Sequence, residues 1–183
     1  MDAETVMRAQ RGDEVAFAAI TQASHGRLKQ VAFRILRDRH LAEDAMQQAL
    51  VEMWRKLPSL RDPSRFEAWS YRVLVNACYR EAKRHQRSFG VVPGERGITT
   101  PDGTAAVNDR DQLERGFARL SMDHRAVLVM HYYLDLTIED TAAALGISSG
   151  TAKSRLNRAM EKLRLALHAD TATARVANAE SMP

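Results

Sequence analysis

Apolar residues recur along this chain three and four positions apart, and strict alternation of apolar and polar residues is absent. That pattern predicts helices and no strands. A short first helix ends at Gly12 and Asp13. The segment after it carries Phe17, Ile20, Leu28, Val31, Ile35 and Leu36 on one stripe. A break is expected near Gly26, since glycine weakens a helix interior. A third helix is expected over about 40–57, with Leu41, Ala45, Met46, Ala49, Leu50, Met53, Trp54 and Leu57 inward. Residues 58–63 read as a connecting loop. A fourth helix, over about 65–86, turns Phe66, Trp69, Val73, Leu74 and Ala77 inward. Four helices with such stripes close one core.

Over 88–107 the periodicity stops. This stretch holds four of the nine glycines and two of the five prolines, the composition of a flexible linker. A second, smaller helical domain is expected beyond it. Asn108 or Asp109 caps a helix bearing Leu113, Phe117 and Leu120; Ser121 caps the next, with Val127, Met130 and Tyr133 inward. Residues 136–165, LTIEDTAAALGISSGTAKSRLNRAMEKLRL, then predict a helix-turn-helix. Thr137 caps its first helix with Asp140 as a capping-box partner. Ile138, Ala142 and Leu145 share one face of it. Gly146 ends it in the left-handed conformation that glycine adopts without penalty. Ile147 plugs the turn and Ser148 caps the second helix. The organisation is therefore two small all-α domains, 1–88 and 108–168, a linker at 89–107, and an alanine-rich tail, 169–183, expected to fray.

Charge sharpens this outline. The chain carries a formal net charge of +4, which favours a polyanionic partner. The excess is uneven. Between Arg61 and Arg87 there are seven basic residues and three acids; between Val91 and Glu114 there are five acids and two bases. The second helix of the helix-turn-helix presents Lys153, Arg155, Arg158, Lys162 and Arg164 against one acid, Glu161. A basic helix beyond a tight glycine turn suits a DNA major groove. An ordinary hairpin with a solvated charged face is the plain alternative.

The first domain offers two further faces. Asp44, Gln47, Gln48, Val51 and Arg55 line one side of the third helix, which composition alone reads as solvated surface. On the fourth helix Arg72, Asn76, Arg80, Lys83, Arg84 and Arg87 form a basic and polar strip. A loop with Arg61, Asp62, Ser64 and Arg65 precedes it, followed by Phe66, Trp69 and Tyr71. Basic residues that track phosphates, interleaved with aromatics, suit single-stranded DNA, and such a loop can hold an extruded base. Trp69 shares a face with Phe66 and Val73 and reads as core.

Cys78 is the one cysteine; its apolar helical setting marks it as a buried structural thiol. Neither metal-ligand spacing nor a phosphate loop nor a catalytic constellation is visible, so no metal, no cofactor and no enzyme are expected. The N-terminus lacks the apolar core of a signal peptide and no segment reaches the length of a membrane span. A cytoplasmic protein without membrane insertion is expected.

Together these segments resemble a known family. FAAITQASHGRLKQVAFRILRDRHLAEDAMQQALVEMWRKL with FEAWSYRVLVNACYREAKR resembles region 2 of a bacterial RNA polymerase sigma factor, and LSMDHRAVLVMHYYLDLTIEDTAAALGISSGTAKSRLNRAMEKLR resembles region 4. Their order and the short linker resemble the extracytoplasmic-function class of the sigma-70 family. The resemblance covers about 13–167. It implies that Asp44, Gln47, Gln48, Val51 and Trp54 dock on the clamp coiled coil of the polymerase largest subunit, with the flap region as a further contact. It implies that Arg61, Asp62, Ser64, Arg65 and Phe66 form the loop that captures a flipped base of the −10 element. Trp69, Arg72, Asn76 and Arg80 would lie against the melted strand, and Thr151, Lys153, Ser154, Arg155 and Arg158 would read duplex −35 DNA. It also implies control by an anti-sigma factor, often in stress response. Gln48 departs from the pattern, standing where an acid is usual, and Ser121-Met122 replaces a leucine followed by proline. The rival expectation is a dimeric helix-turn-helix transcriptional regulator with an N-terminal effector domain, for which the basic loop and strip have no use.

Overall fold

The computed structural model describes residues 2–89 and 109–180, with side chains over 2–88 and 112–168. Among the described residues every regular element is helical. Helices α1 (Ala3–Gln10) and α2 (Glu14–Leu36) are each started by an aspartate, Asp2 and Asp13, whose carboxylate accepts backbone N–H groups of the first turn. Gly12 between them takes a φ of 91°, a left-handed bend that few other residues adopt. Asp38 caps α3 (Arg39–Lys56), and α4 (Phe66–Phe89) follows two short 3₁₀ turns at Leu57–Ser59 and Pro63–Arg65.

The second half comprises α5 (Asp109–Ala118), α6 (Met122–Leu128), a π-helical turn Val129–Tyr133, α7 (Ile138–Leu145) and α8 (Ser149–Glu180). Ser121 caps α6, accepting from the His124 N–H. Thr137 Oγ accepts from the Asp140 N–H at 3.0 Å, the N-cap half of a capping box, while donating to the Asp140 carboxylate at 2.9 Å. Gly146 ends α7 at φ 67°, and Ser148 caps α8 by accepting from Thr151 N–H at 3.1 Å.

One expectation is corrected. Helix α2 runs unbroken through Gly26. The cost of one exposed helical glycine, about 1 kcal/mol, is overcome because Ile20 before it and Leu28 after it are both anchored in the core. Helix α5 meets α8 through Gly116, where an added Cβ would come within 3.2 Å of Leu163 and Leu167, and Leu113 on it is 47% exposed. The expected linker lies outside the described residues apart from Phe89, as do Asn108 and the Asp109 side chain. The backbone of α8 continues as helix into the stretch expected to fray.

The two halves do not stand apart. Leu28, Ile35, Met46, Leu74 and Cys78 of the first share one apolar cluster with Met122, Ala126, Val129, Met130 and Leu134 of the second. Arg125, at 1% exposure the largest fully buried side chain among the described residues, sits at the seam. Its Nε donates to the Ile35 carbonyl of α2 at 2.7 Å and its guanidinium also donates to the Leu120 carbonyl at 2.7 Å. The last carbonyls of a helix lack intrahelical partners and carry partial negative charge, so the end of α2 receives a cation there. A smaller cluster, Val6, Ala9, Ala16, Ile20, Leu57 and Phe66, seats α1 beneath the 3₁₀ turns.

Candidate nucleic-acid interface

Burial sorts α4 into two sides. Tyr71, Val73, Leu74, Val75, Ala77, Cys78, Glu81 and Ala82 are buried, whereas Arg72, Asn76, Arg80, Lys83, Arg84 and Arg87 are exposed. Helical spacing alone aligns those exposed residues into a continuous basic strip. Two of its arginines already meet acids. Arg80 lies 2.8 Å from Glu52 of α3; Arg84 lies 2.7 Å from Glu81 and 3.6 Å from Asp44. A phosphate backbone has to compete with these carboxylates for Arg80 and Arg84, while Arg72 and Asn76 have no such neighbour to shed among the ion pairs described.

The loop before α4 is built rather than slack. Asp62 accepts from the Ser64 hydroxyl at 2.6 Å and from its N–H at 3.0 Å. Those bonds, the hydroxyl first, hold the Asp62 carboxyl below its ordinary value. From α1, the Gln10 amide donates to the carbonyls of Leu57 at 3.1 Å and Leu60 at 2.6 Å. Gln10 thereby fixes where the loop stands, a role no periodicity reveals. Arg61, Asp62, Ser64 and Arg65 all reach the surface.

The aromatic part of the expected site is corrected. Phe66 is 3% exposed and lies in the smaller cluster, 5.7 Å from the Trp69 ring. Tyr71 is equally buried and its hydroxyl donates to Glu67 at 3.2 Å. Neither ring presents a face on which a base can stack as the molecule stands; both sit on the side of α4 turned to the core. Polar and cationic contacts are what this surface offers.

On α3, Asp44, Gln47 and Val51 are exposed, Val51 at 52%. Trp54 is half-buried against Phe17, ring centroids 4.9 Å apart. Gln48 is also half-buried, and its amide donates to Glu81. An acid at position 48 would set a second carboxylate against Glu81, which is 2% exposed.

In α8, Ala152, Leu156 and Ala159 face the core, leaving Thr151, Lys153, Ser154 and Arg158 exposed on the opposite side. Arg155 is half-buried, its guanidinium 3.2 Å from Asp123, which also accepts from Tyr79 of α4 at 2.7 Å. Asp123 and Tyr79 went unnoticed in the sequence because their partners are 32 and 44 positions away. Among the described residues no cluster of His, Cys, Asp and Glu suits a metal ion, and no helix is long and apolar enough to cross a membrane.

Comparison with known proteins accounts for both halves. The model of Sigma-70 region 2 matches residues 20–88, and that of Sigma-70 region 4 matches 110–163. The ECF RNA polymerase sigma factor SigM of Mycobacterium tuberculosis is 33% identical over 162 residues, covering 88% of this chain and 82% of that one. SigL of the same species is 34% identical over 166 residues, covering 85% and 93%. The sigma factor RpoE, in its co-crystal structure with the anti-sigma factor NepR from Bartonella quintana, superposes with a TM-score of 0.68 at 26% identity, over 84% of this chain and 98% of that one. A first half that matches region 2 leaves no effector domain for the rival regulator. The chain belongs to the extracytoplasmic-function sigma factors of RNA polymerase.

Proposed function

We propose that the surfaces described above divide the work of promoter recognition among them. A sigma factor directs core polymerase to promoters and assists their melting. In this chain Asp44, Gln47, Gln48, Val51 and Trp54 on α3 meet the polymerase clamp, and the flap region receives the second domain. Arg61, Asp62, Ser64 and Arg65 hold a base of the −10 element, and Arg72, Asn76 and Arg80 follow the melted strand. Thr151, Lys153, Ser154, Arg155 and Arg158 read the −35 duplex, phosphate contacts setting the register and base-edge contacts the sequence. The observation that carries this reading is the sorting of α4, whose cations and Asn76 share one exposed side while its apolar residues are buried.

The phosphodiester chemistry belongs to the polymerase, and the chain itself performs none. It works in the cytoplasm, where the polymerase is. Its counterpart from Bartonella quintana was crystallised with an anti-sigma factor, and we infer a protein inhibitor of that kind here. Pull-downs from unstressed cells that recover no such protein would count against it.

Run-off transcription with core polymerase and Asn76→Ala tests the division of surfaces. Unpairing a base costs a few kcal/mol, and Asn76 offsets part of that on the exposed strip. The variant is expected to lower the rate of promoter opening several-fold while its affinity for core polymerase is unchanged. Equal loss of both would overturn the division.

A further inference from the structure

We propose that α1 governs the base preference of the −10 loop, and that Gln10, its last residue, is the positioning residue through which it does so. This rests on the reading above, in which Arg61, Asp62, Ser64 and Arg65 hold a base of the −10 element. The region 2 model starts at residue 20, so α1 has no place in it and no role from it. Yet α1 is the element on which the loop is seated.

Val6, Ala9 and Gln10 share one face of α1 by their spacing. Val6 and Ala9 are buried in one cluster with Leu57 and Phe66, the residues at the two ends of the loop. Such apolar contact holds the loop close but is non-directional. Gln10 supplies the direction. Its amide donates to the Leu57 carbonyl at 3.1 Å and to the Leu60 carbonyl at 2.6 Å. Leu60 immediately precedes Arg61, the first candidate base contact. On the other side of Arg61, Asp62 holds the hydroxyl and N–H of Ser64, and the Arg65 N–H donates to the Asp62 carbonyl at 3.1 Å. Arg61 therefore spans two pinned points, one held from α1 and one held within the loop. The end of α1 is itself fixed, since Arg8 lies 2.6 Å from Asp13 across the Gly12 bend.

Reading a base edge depends on hydrogen bonds that weaken steeply with misalignment. A loop free to shift meets the right and the wrong base with similar contacts, and it loses backbone freedom on capture. A loop already held has met that cost in folding. Specificity is a difference of affinities, so losing the Gln10 bonds costs discrimination between bases. Gln10 reaches the base only through the backbone from Leu57 to Leu60, and polymerase docking and −35 reading lie outside that path.

The test uses the full chain with core polymerase and a promoter mapped from the transcripts the chain directs. Run-off transcription compares every single-base version of the −10 element for the parent, Gln10→Met and Gln10→Lys. Methionine keeps the length and removes the donors; lysine restores donors on one nitrogen. The preference for the best base over the others is expected to fall about tenfold in Gln10→Met, the scale of one lost hydrogen bond, and to be retained in Gln10→Lys. A variant that merely folds less well lowers transcription from all templates by one factor and leaves their ratio alone. An unaltered ratio in Gln10→Met, or a ratio lost equally in Gln10→Lys, would overturn the proposal.

A second measurement needs no promoter. A nitroxide on Ser59→Cys, exposed between the two tied carbonyls, reports loop motion in the free chain, with buried Cys78 unlabelled. Its spectrum is expected to sharpen in Gln10→Met and to stay broad in the parent and in Gln10→Lys; a spectrum equally broad in all three sinks the role of Gln10. Arg61→Ala and Ser64→Ala separate this idea from the one beneath it. If neither alters the base preference of the parent, the assignment of the loop falls and the proposal with it. If both do and Gln10→Met does not, only the role of α1 falls.

Discussion

The side-chain amide of Gln48 donates to the carboxylate of Glu81, joining α3 to α4 at a point where Glu81 is 2% exposed. The bond lies between the face assigned to polymerase and the strip assigned to DNA, and Arg84 closes it from the other side at 2.7 Å. Gln48→Glu replaces a donor by a second carboxylate against a buried one. It is expected to destabilise the protein by about 2 kcal/mol, measured by urea unfolding at neutral pH. An unchanged midpoint would mean that position 48 swings free of Glu81.

Arg158 is exposed on the outward side of α8, one turn beyond Ser154. Arg158→Ala is expected to weaken holoenzyme binding to −35 duplex by about 1–3 kcal/mol, with core polymerase affinity unchanged. Binding across a set of −35 variants checks it: loss of discrimination at one base pair marks a base contact, and uniform loss marks a phosphate contact.

The His124 ring is 3.0 Å from the Ser121 hydroxyl at the start of α6. Burial, then the nearby Lys162 charge, lowers its pKa from an ordinary value of 6.5. A lowered histidine favours folding while neutral, so its contribution is full above about 6.5 and is lost as pH falls through the lowered folded value. Melting temperatures of the parent and His124→Asn at pH 7.5 and 5.5 check this. The parent is expected to lose more stability on acidification than the variant.

Burial pushes the Cys78 thiol up to about 12, so almost no thiolate exists near neutral pH and a thiol reagent has no nucleophile to meet. Modification of the native chain by a maleimide is expected to proceed only as fast as the protein unfolds. Rapid labelling of the folded chain would place Cys78 outside the core.

The helix-turn-helix was legible residue by residue, because capping chemistry is local. Thr137, Gly146 and Ser148 each act on a backbone within four residues, and Asp140 meets the Thr137 hydroxyl three residues back. The basic strip of α4 was legible for the same reason, since helical spacing decides which residues share a side. Phe66 was harder. Its partners Val6, Ala9 and Ile20 lie far back in the chain, and nothing near position 66 tells a stacking aromatic from a packed one. Gly26 misled because propensity is a weak prior that anchors on both flanks override. Arg125 drew no reading at all, since local rules place a charge on a short helix in water, and it is the Ile35 carbonyl, 90 positions away, that brings it inside.

Placed where it is, Arg125 blurs the border that family models draw through this chain. Residues 20–88 and 110–163 match separate family models, but in the structure they share apolar neighbours and a guanidinium that bonds to both. Expressed singly, the first half would expose the ring of apolar side chains around the end of α2, and the second would carry a cation with one of its carbonyl partners missing. A truncation at the border of either family model would therefore cut through packing that the two halves share.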